Sequence, residues 1–183
     1  IDRNIQYIAE EALKKSVLKF NAESGMALVM VPQTGAVRAV AHYPAFNPNA
    51  FGRFPRQTWR NRAVSDAFEP GSTMKVFLAA AALDSGICSA QTRVDCENGT
   101  YAVGGHTIGD THPHEELTLR EVIQYSSNIG AVKIAEKIGP ESLYTTFSNF
   151  GFGEKTGIDC PGETPGQMRH YRNWRKVDHA TIA

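Results

Sequence analysis

No apolar run in this sequence approaches the roughly 18 residues that a membrane-spanning helix requires. No charge of one sign dominates either, because 19 Lys and Arg stand against 19 Asp and Glu. That balance excludes the strongly basic surface by which proteins hold nucleic acid or an anionic membrane. Cysteine is scarce, with Cys88, Cys96 and Cys160 alone, which excludes a disulfide-rich scaffold and any CxxC zinc or redox site. Cys88 and Cys96 stand close enough in sequence to close a small loop in an oxidising compartment. Two free, partly buried thiols are the alternative. No signal peptide is present, and Ile1-Asp2-Arg3-Asn4 carry no initiator Met. The sequence therefore reads as a segment of a longer protein, and its lack of a targeting signal says little about the parent.

What remains is the composition of an ordinary globular protein, 42% hydrophobic and 21% charged over 183 residues. That length suits one domain, or part of a larger one, with a sizeable core. Ile5, Ile8, Ala9, Ala12, Leu13, Val17 and Phe20 recur at steps of three and four, which predicts an amphipathic helix over 2–20. Ala27–Val31 and Ala36–His42 read as two strands around a turn punctuated by Pro32 and Gly35, hence an antiparallel hairpin. Residues 43–62 mix Pro, Asn, Phe and Arg without a period and predict a long irregular loop. Its aromatics, with Tyr43, are expected to pack in the core and loop rather than line a cleft. Ser72–Leu83 is almost continuously apolar and predicts a helix buried all round. Residues 84–116 read as loop with short strands. Thr118 and Glu121 spell a capping box ahead of a helix. A further helical stretch, Ser127–Ile138, meets a stop at Gly139-Pro140. A short helix over 142–150 and an irregular, Gly- and Pro-rich remainder complete the reading.

The sharpest chemical signal is Glu69-Pro70-Gly71-Ser72-Thr73-Met74-Lys75. A serine at the first turn of a buried helix sits at the positive end of the helix dipole, beside backbone N–H groups that have no helical partner. A lysine three residues later projects from the same face one turn on. Serine is a poor nucleophile until a base takes its proton. Lysine becomes that base only where burial lowers its pKa, and an apolar helix provides such a setting. The bland alternative is a capping serine followed by a snorkelling lysine. The second signal is Tyr125-Ser126-Ser127-Asn128 at the junction of two helical stretches. There Ser126 could relay a proton between Lys75 and a leaving amine, and Asn128 could bond a substrate amide. Alone this run reads as a helix cap. The S-x-x-K and S-x-N motifs together are a far rarer coincidence.

With these residues the chain resembles, from end to end, the transpeptidase domain of class B penicillin-binding proteins. Ile1–Ala12 is similar to that domain's opening helix, Val31-Pro-Gln-Thr-Gly35 to its first hairpin turn, and Asn61–Thr73 to the approach to its nucleophile. Ser126-Ser127-Asn128-Ile129-Gly130 resembles its second motif, and Phe150–Asp159 with Pro161-Gly162-Glu163 a later segment. The resemblance implies an α/β (α+β) fold of the penicillin-binding/β-lactamase-like kind. It would be truncated: mainly helices and the first hairpin of the antiparallel sheet, with residues 1–183 one partial domain. It implies that Ser72 is acylated, that Lys75 is its base, and that Ser126 and Asn128 serve as relay and substrate contact. No metal or other cofactor is implied. Peptidoglycan stem peptides would be the substrate and β-lactams the inhibitors. The parent would lie on the periplasmic side, anchored by an upstream membrane helix and partnered by glycosyltransferase and division proteins. The basic, Trp-containing run Arg169–Lys176 resembles division-type members.

The family's third motif is Lys-Thr/Ser-Gly on a strand. Lys155-Thr156-Gly157 spells it, but within a segment that resembles a surface turn. The true motif is therefore expected beyond residue 183, and residues 1–183 alone are expected to be weak or inactive. Two other functions compete. A serine β-lactamase would need a deacylating base, for which Glu163 is the nearest candidate. A β-lactam-sensing receptor domain would need none. His106, His112 and His114, beside Asp110, Glu115 and Glu116, offer zinc-ligating groups, but an open polar loop is the expected reading.

Overall fold

The computed structural model describes residues 1–182. The chain divides into two compact units, Ile1–Ala67 with Gly157–Thr164, and Phe68–Thr156 with the chain from Pro165.

The first unit is a helix on a hairpin. Helix α1 (Arg3–Lys19) starts at Asp2, whose Oδ1 accepts from the N–H groups of Asn4 (2.9 Å) and Ile5 (3.1 Å). Those bonds hold the Asp2 carboxyl below its ordinary pKa. Strands β1 (Gly25–Met30) and β2 (Val37–Tyr43) pair antiparallel, from Gly25 opposite Tyr43 to Met30 opposite Val37. Gly25 is where helix and strand approach most tightly. A Cβ there would come within 2.8 Å of Val17 Cγ2 and 2.9 Å of Leu13 Cδ1. The start of α1 also seals the outer edge of β2. Gln6 accepts from the Val40 N–H at 2.8 Å and donates to the Val40 carbonyl at 2.9 Å, while the Asp2 N–H donates to the Arg38 carbonyl at 2.7 Å. The other edge of β1 meets no strand among the described residues, and Met26, Leu28 and Met30 are exposed along it. The loop expected over 43–62 holds two 3₁₀ turns, Pro48–Arg53 and Arg56–Thr58, before helix α2 (Arg62–Ser65).

The second unit is mostly helical. A 3₁₀ turn (Gly71–Thr73) leads into α3 (Met74–Asp84). Four short strands follow: β3 (Arg93–Asp95), β4 (Thr100–Val103), β5 (His106–Gly109) and β6 (Glu116–Thr118). They form two antiparallel ladders, β3 with β6 and β4 with β5. Then come α4 (Leu119–Tyr125), α5 (Asn128–Asn149) and α6 (Lys176–Ile182). The capping box is present, with Thr118 Oγ1 accepting from the Glu121 N–H and Glu121 accepting from the Thr118 N–H. Leu78, Ala81 and Ala82 of α3 share one core with Ile129, Ile134, Ala135, Leu143 and Phe147 of α5. Burying each of the larger side chains contributes about 1.5–3 kcal/mol.

Helix α3 is not buried all round as the sequence suggested, because Val76 and Leu83 are exposed. The stop expected at Gly139-Pro140 is present as a break inside α5, which divides there into two helical stretches. Gly139 takes φ 79°, ψ 161°, and Pro140 opens the next turn, a position where its missing N–H costs nothing. The tail is less irregular than expected, because Trp174 packs against Tyr144 of α5 and its Nε1 donates to the Arg169 carbonyl at 2.8 Å. Of the two readings open for Cys88 and Cys96, the structure has the free thiols, both drawn into the apolar core.

Candidate active site

Gly71, at φ +59°, turns the chain so that Ser72 stands exposed at the head of α3. Thr73 Oγ1 donates to the Pro70 carbonyl at 2.7 Å and closes that turn. Lys75 follows on the inner side, 5% exposed within an apolar helix. One helical turn brings its Nζ to 3.2 Å from Ser72 Oγ.

The partners of Lys75 come from the α4–α5 junction. Helix α4 ends with the Ser126 N–H on the Ile123 carbonyl and the Ser127 N–H on the Val122 carbonyl, while Ser126 is left-handed at φ 55°, ψ 38°. This is a Schellman end, in which glycine usually takes the left-handed place. A serine there carries backbone strain of order 1–3 kcal/mol, and such strain clusters at functional sites. The bend turns both Ser126 oxygens on Lys75, the carbonyl at 2.7 Å and Oγ at 3.2 Å from Nζ. Asn128, the first residue of α5, adds its Oδ1 at 2.7 Å. The tight passage from α4 to α5 depends on Gly130, where a Cβ would collide with Val122 Cγ2.

Lys75 thus meets four acceptors. An ammonium has three N–H donors, so the two hydroxyls at 3.2 Å share one of them. Burial lowers its pKa, and the nearby Asp110 carboxylate pushes the other way. As a neutral amine Lys75 has two N–H groups and a lone pair. The Ser126 carbonyl and Asn128 Oδ1 can only accept, so they hold the two N–H groups. The lone pair then faces the hydroxyls of Ser72 and Ser126. Asn128 Nδ2 donates to the Gly109 carbonyl at 2.9 Å, which leaves one N–H and one lone pair of its amide for a ligand.

The structure therefore brings Ser72, Lys75, Ser126 and Asn128 together around one nitrogen. Lys155-Thr156-Gly157 lies on exposed, irregular chain and on no strand. Among the described residues no three His, Cys, Asp or Glu side chains converge as a metal site, and His114 stacks on Tyr125 instead. Sequence reasoning placed Asp110 only in an open polar loop and missed its contact with the start of α5. It follows β5 and accepts from Ser127 Oγ and from the N–H groups of Asn128 and Ile129. No linear motif marks such a long-range helix cap.

An exposed serine, a buried lysine and a left-handed serine–asparagine turn thus meet on a helical unit with short antiparallel ladders. Residues 25–183 match the penicillin-binding protein transpeptidase domain. The whole chain is 39% identical to a probable peptidoglycan D,D-transpeptidase, PbpC, of Pseudomonas aeruginosa, and spans 32% of it. It is 35% identical to the peptidoglycan D,D-transpeptidase FtsI of Escherichia coli K12 and spans 31% of that protein. Among solved structures it superposes on the transpeptidase domain of Burkholderia pseudomallei penicillin-binding protein 3 with a TM-score of 0.87. Identity there is 38%, covering all of this chain and 50% of the other. A peptidoglycan glycosyltransferase structure from Burkholderia ambifaria gives the same TM-score at 39% identity, covering all of this chain and 54% of that one. The chain belongs to the class B penicillin-binding-protein transpeptidase family. It spans about a third of the length of the curated relatives it matches.

Proposed function

We propose that this chain carries the nucleophile of a peptidoglycan D,D-transpeptidase working through an acyl-serine. The observation that carries the reading is Lys75, buried, with two acceptor-only partners at 2.7 Å and two hydroxyls at 3.2 Å. Neutral Lys75 takes the Ser72 proton as Oγ attacks the carbonyl of the penultimate D-alanine. The peptide C–N bond breaks, and the departing amine of the terminal D-alanine takes a proton from Lys75 through Ser126. The Ser72 ester is then attacked by an amine of a neighbouring stem peptide, which loses a proton back along the same path. That step forms the cross-link and frees Ser72. Asn128 uses its remaining amide capacity to hold the substrate backbone. β-Lactams acylate the same Ser72.

The names of the relatives support this substrate class, and the likeness to FtsI together with Arg169–Lys176 supports a role in division. The same reading puts the whole protein on the periplasmic side, anchored upstream and working with glycosyltransferase and divisome proteins. It takes residues 1–183 as part of one transpeptidase domain whose third motif is not Lys155-Thr156-Gly157. Residues 1–183 alone are then weak or inactive. Among the described residues no helix is long and apolar enough to cross a membrane.

The test is the full-length protein with a stem peptide ending in D-Ala-D-Ala and an amine acceptor. One D-alanine is expected per cross-link formed, and none from Ser72→Ala. Fast hydrolysis of penicillin without cross-linking would favour the β-lactamase reading and overturn this one.

A further inference from the structure

Resting on the acyl-serine reading above, we propose that Asp110 is a positioning residue. Its carboxylate locks the strained Ser126-Ser127-Asn128 turn in place and supplies the counter-charge of Lys75.

The geometry is a clamp made by two consecutive residues at the end of β5. Asp110 Oδ2 accepts from Ser127 Oγ at 2.5 Å. Its Oδ1 accepts from the Asn128 N–H at 2.5 Å and the Ile129 N–H at 3.1 Å. These N–H groups belong to the first turn of α5, which has no helical acceptors of its own for them, and an anion there also meets the helix dipole. Ser127 passes the connection on, since its Oγ also accepts from the Gly130 N–H at 2.9 Å. The residue before Asp110 completes the grip, because the Gly109 carbonyl takes Asn128 Nδ2 at 2.9 Å. Asn128 is therefore fixed through its backbone and its amide nitrogen, and only Oδ1 is left to turn on Lys75. The same anchor, one residue away, opposes relaxation of Ser126 out of its left-handed conformation.

Asp110 also acts through space. Lys75 is held by its own turn of α3 and by the Ser126–Asn128 turn. Among the described residues Asp110, which grips the Asn128 N–H while Asn128 Oδ1 meets Lys75, is the charged group that acts on it. A nearby carboxylate favours the ammonium, so it opposes the burial that frees the base. The pairing sets a balance.

The experiment uses the full-length protein, a fluorescent penicillin and rapid-mixing kinetics over pH. It compares wild type with Asp110→Asn and Asp110→Ala. The Asn variant keeps the shape and acceptor oxygen but not the charge. Its acid limb is expected to move down by about half a pH unit or more. The Ala variant releases the turn. Its maximal acylation rate is expected to fall by about ten-fold or more, the effect of misplacing reacting groups, with noncovalent binding changed far less. An unmoved acid limb in Asp110→Asn would overturn the charge role. A folded Asp110→Ala protein acylating at the wild-type rate would overturn the positioning role. If the Ala variant does not fold, Asp110→Glu, which keeps the charge but displaces the carboxylate by one methylene, replaces it, and a wild-type acylation rate there would overturn the positioning role. A wild type that takes no penicillin on Ser72 overturns the acyl-serine reading itself, a different result from unaltered variants of an active enzyme.

Discussion

Lys75 is the residue on which the proposed chemistry turns, and its burial has a thermodynamic signature. Its folded-state pKa lies below the ordinary 10.5, chiefly through desolvation. Between those two values the unfolded chain binds more protons than the folded one, so stability rises with pH across that window. Below the folded pKa the penalty of burying the ammonium is fully present, and above 10.5 it is gone. Urea unfolding of wild type and Lys75→Met should show this rise in the wild type only. Parallel curves would contradict it. Ser126 permits a second check. Glycine relieves left-handed strain that alanine keeps, so Ser126→Gly should be more stable than Ser126→Ala by about 1 kcal/mol. Both variants lose the hydroxyl and should acylate slowly. Equal melting temperatures would mean that the bend is not strained.

At the scale of elements, the α4–α5 passage should be the least tolerant part of the second unit. Gly130→Ala would push a methyl into Val122, which is fully buried. Overpacking of that kind costs about 1–3 kcal/mol, against about 1 kcal/mol of helix propensity gained. A net loss in thermal stability is expected, with partial recovery in the double variant Gly130→Ala/Val122→Ala. Additive losses would show that the two residues do not meet. At this scale the sequence was readable wherever the signal was local. The spacing of Ile5, Leu13 and Val17, the Pro32 and Gly35 turn, and the Thr118–Glu121 box all act within a few residues of themselves. The Gly139-Pro140 break belongs with these local signals. The packing of Trp174 on Tyr144 was not readable, because it is decided by a neighbour distant in sequence. The contact Asp110 makes with the start of α5 escaped notice for the same reason, since its partners begin at Ser127. Ser72, Lys75, Ser126 and Asn128 were legible because their chemistry constrains residue type at fixed offsets, although only the fold explains why Lys75 meets all three of the others.

At the scale of the whole molecule, the hairpin of the first unit shows an asymmetry. The start of α1 occupies the β2 edge, while the β1 edge, with Met26, Leu28 and Met30 beside it, meets no strand among the described residues. Open apolar edges pair with other chains. Residues 1–183 expressed alone should therefore self-associate, and Leu28→Lys should reduce that association. A monodisperse monomer at all concentrations by analytical ultracentrifugation would contradict the expectation. The central claim is narrower and concerns one oxygen atom. Its most direct test is tandem mass spectrometry of the full-length protein after a short exposure to penicillin. A single penicilloyl adduct is expected on the peptide containing Ser72, absent from Ser72→Ala. An adduct on another residue, or one that persists in Ser72→Ala, would contradict it.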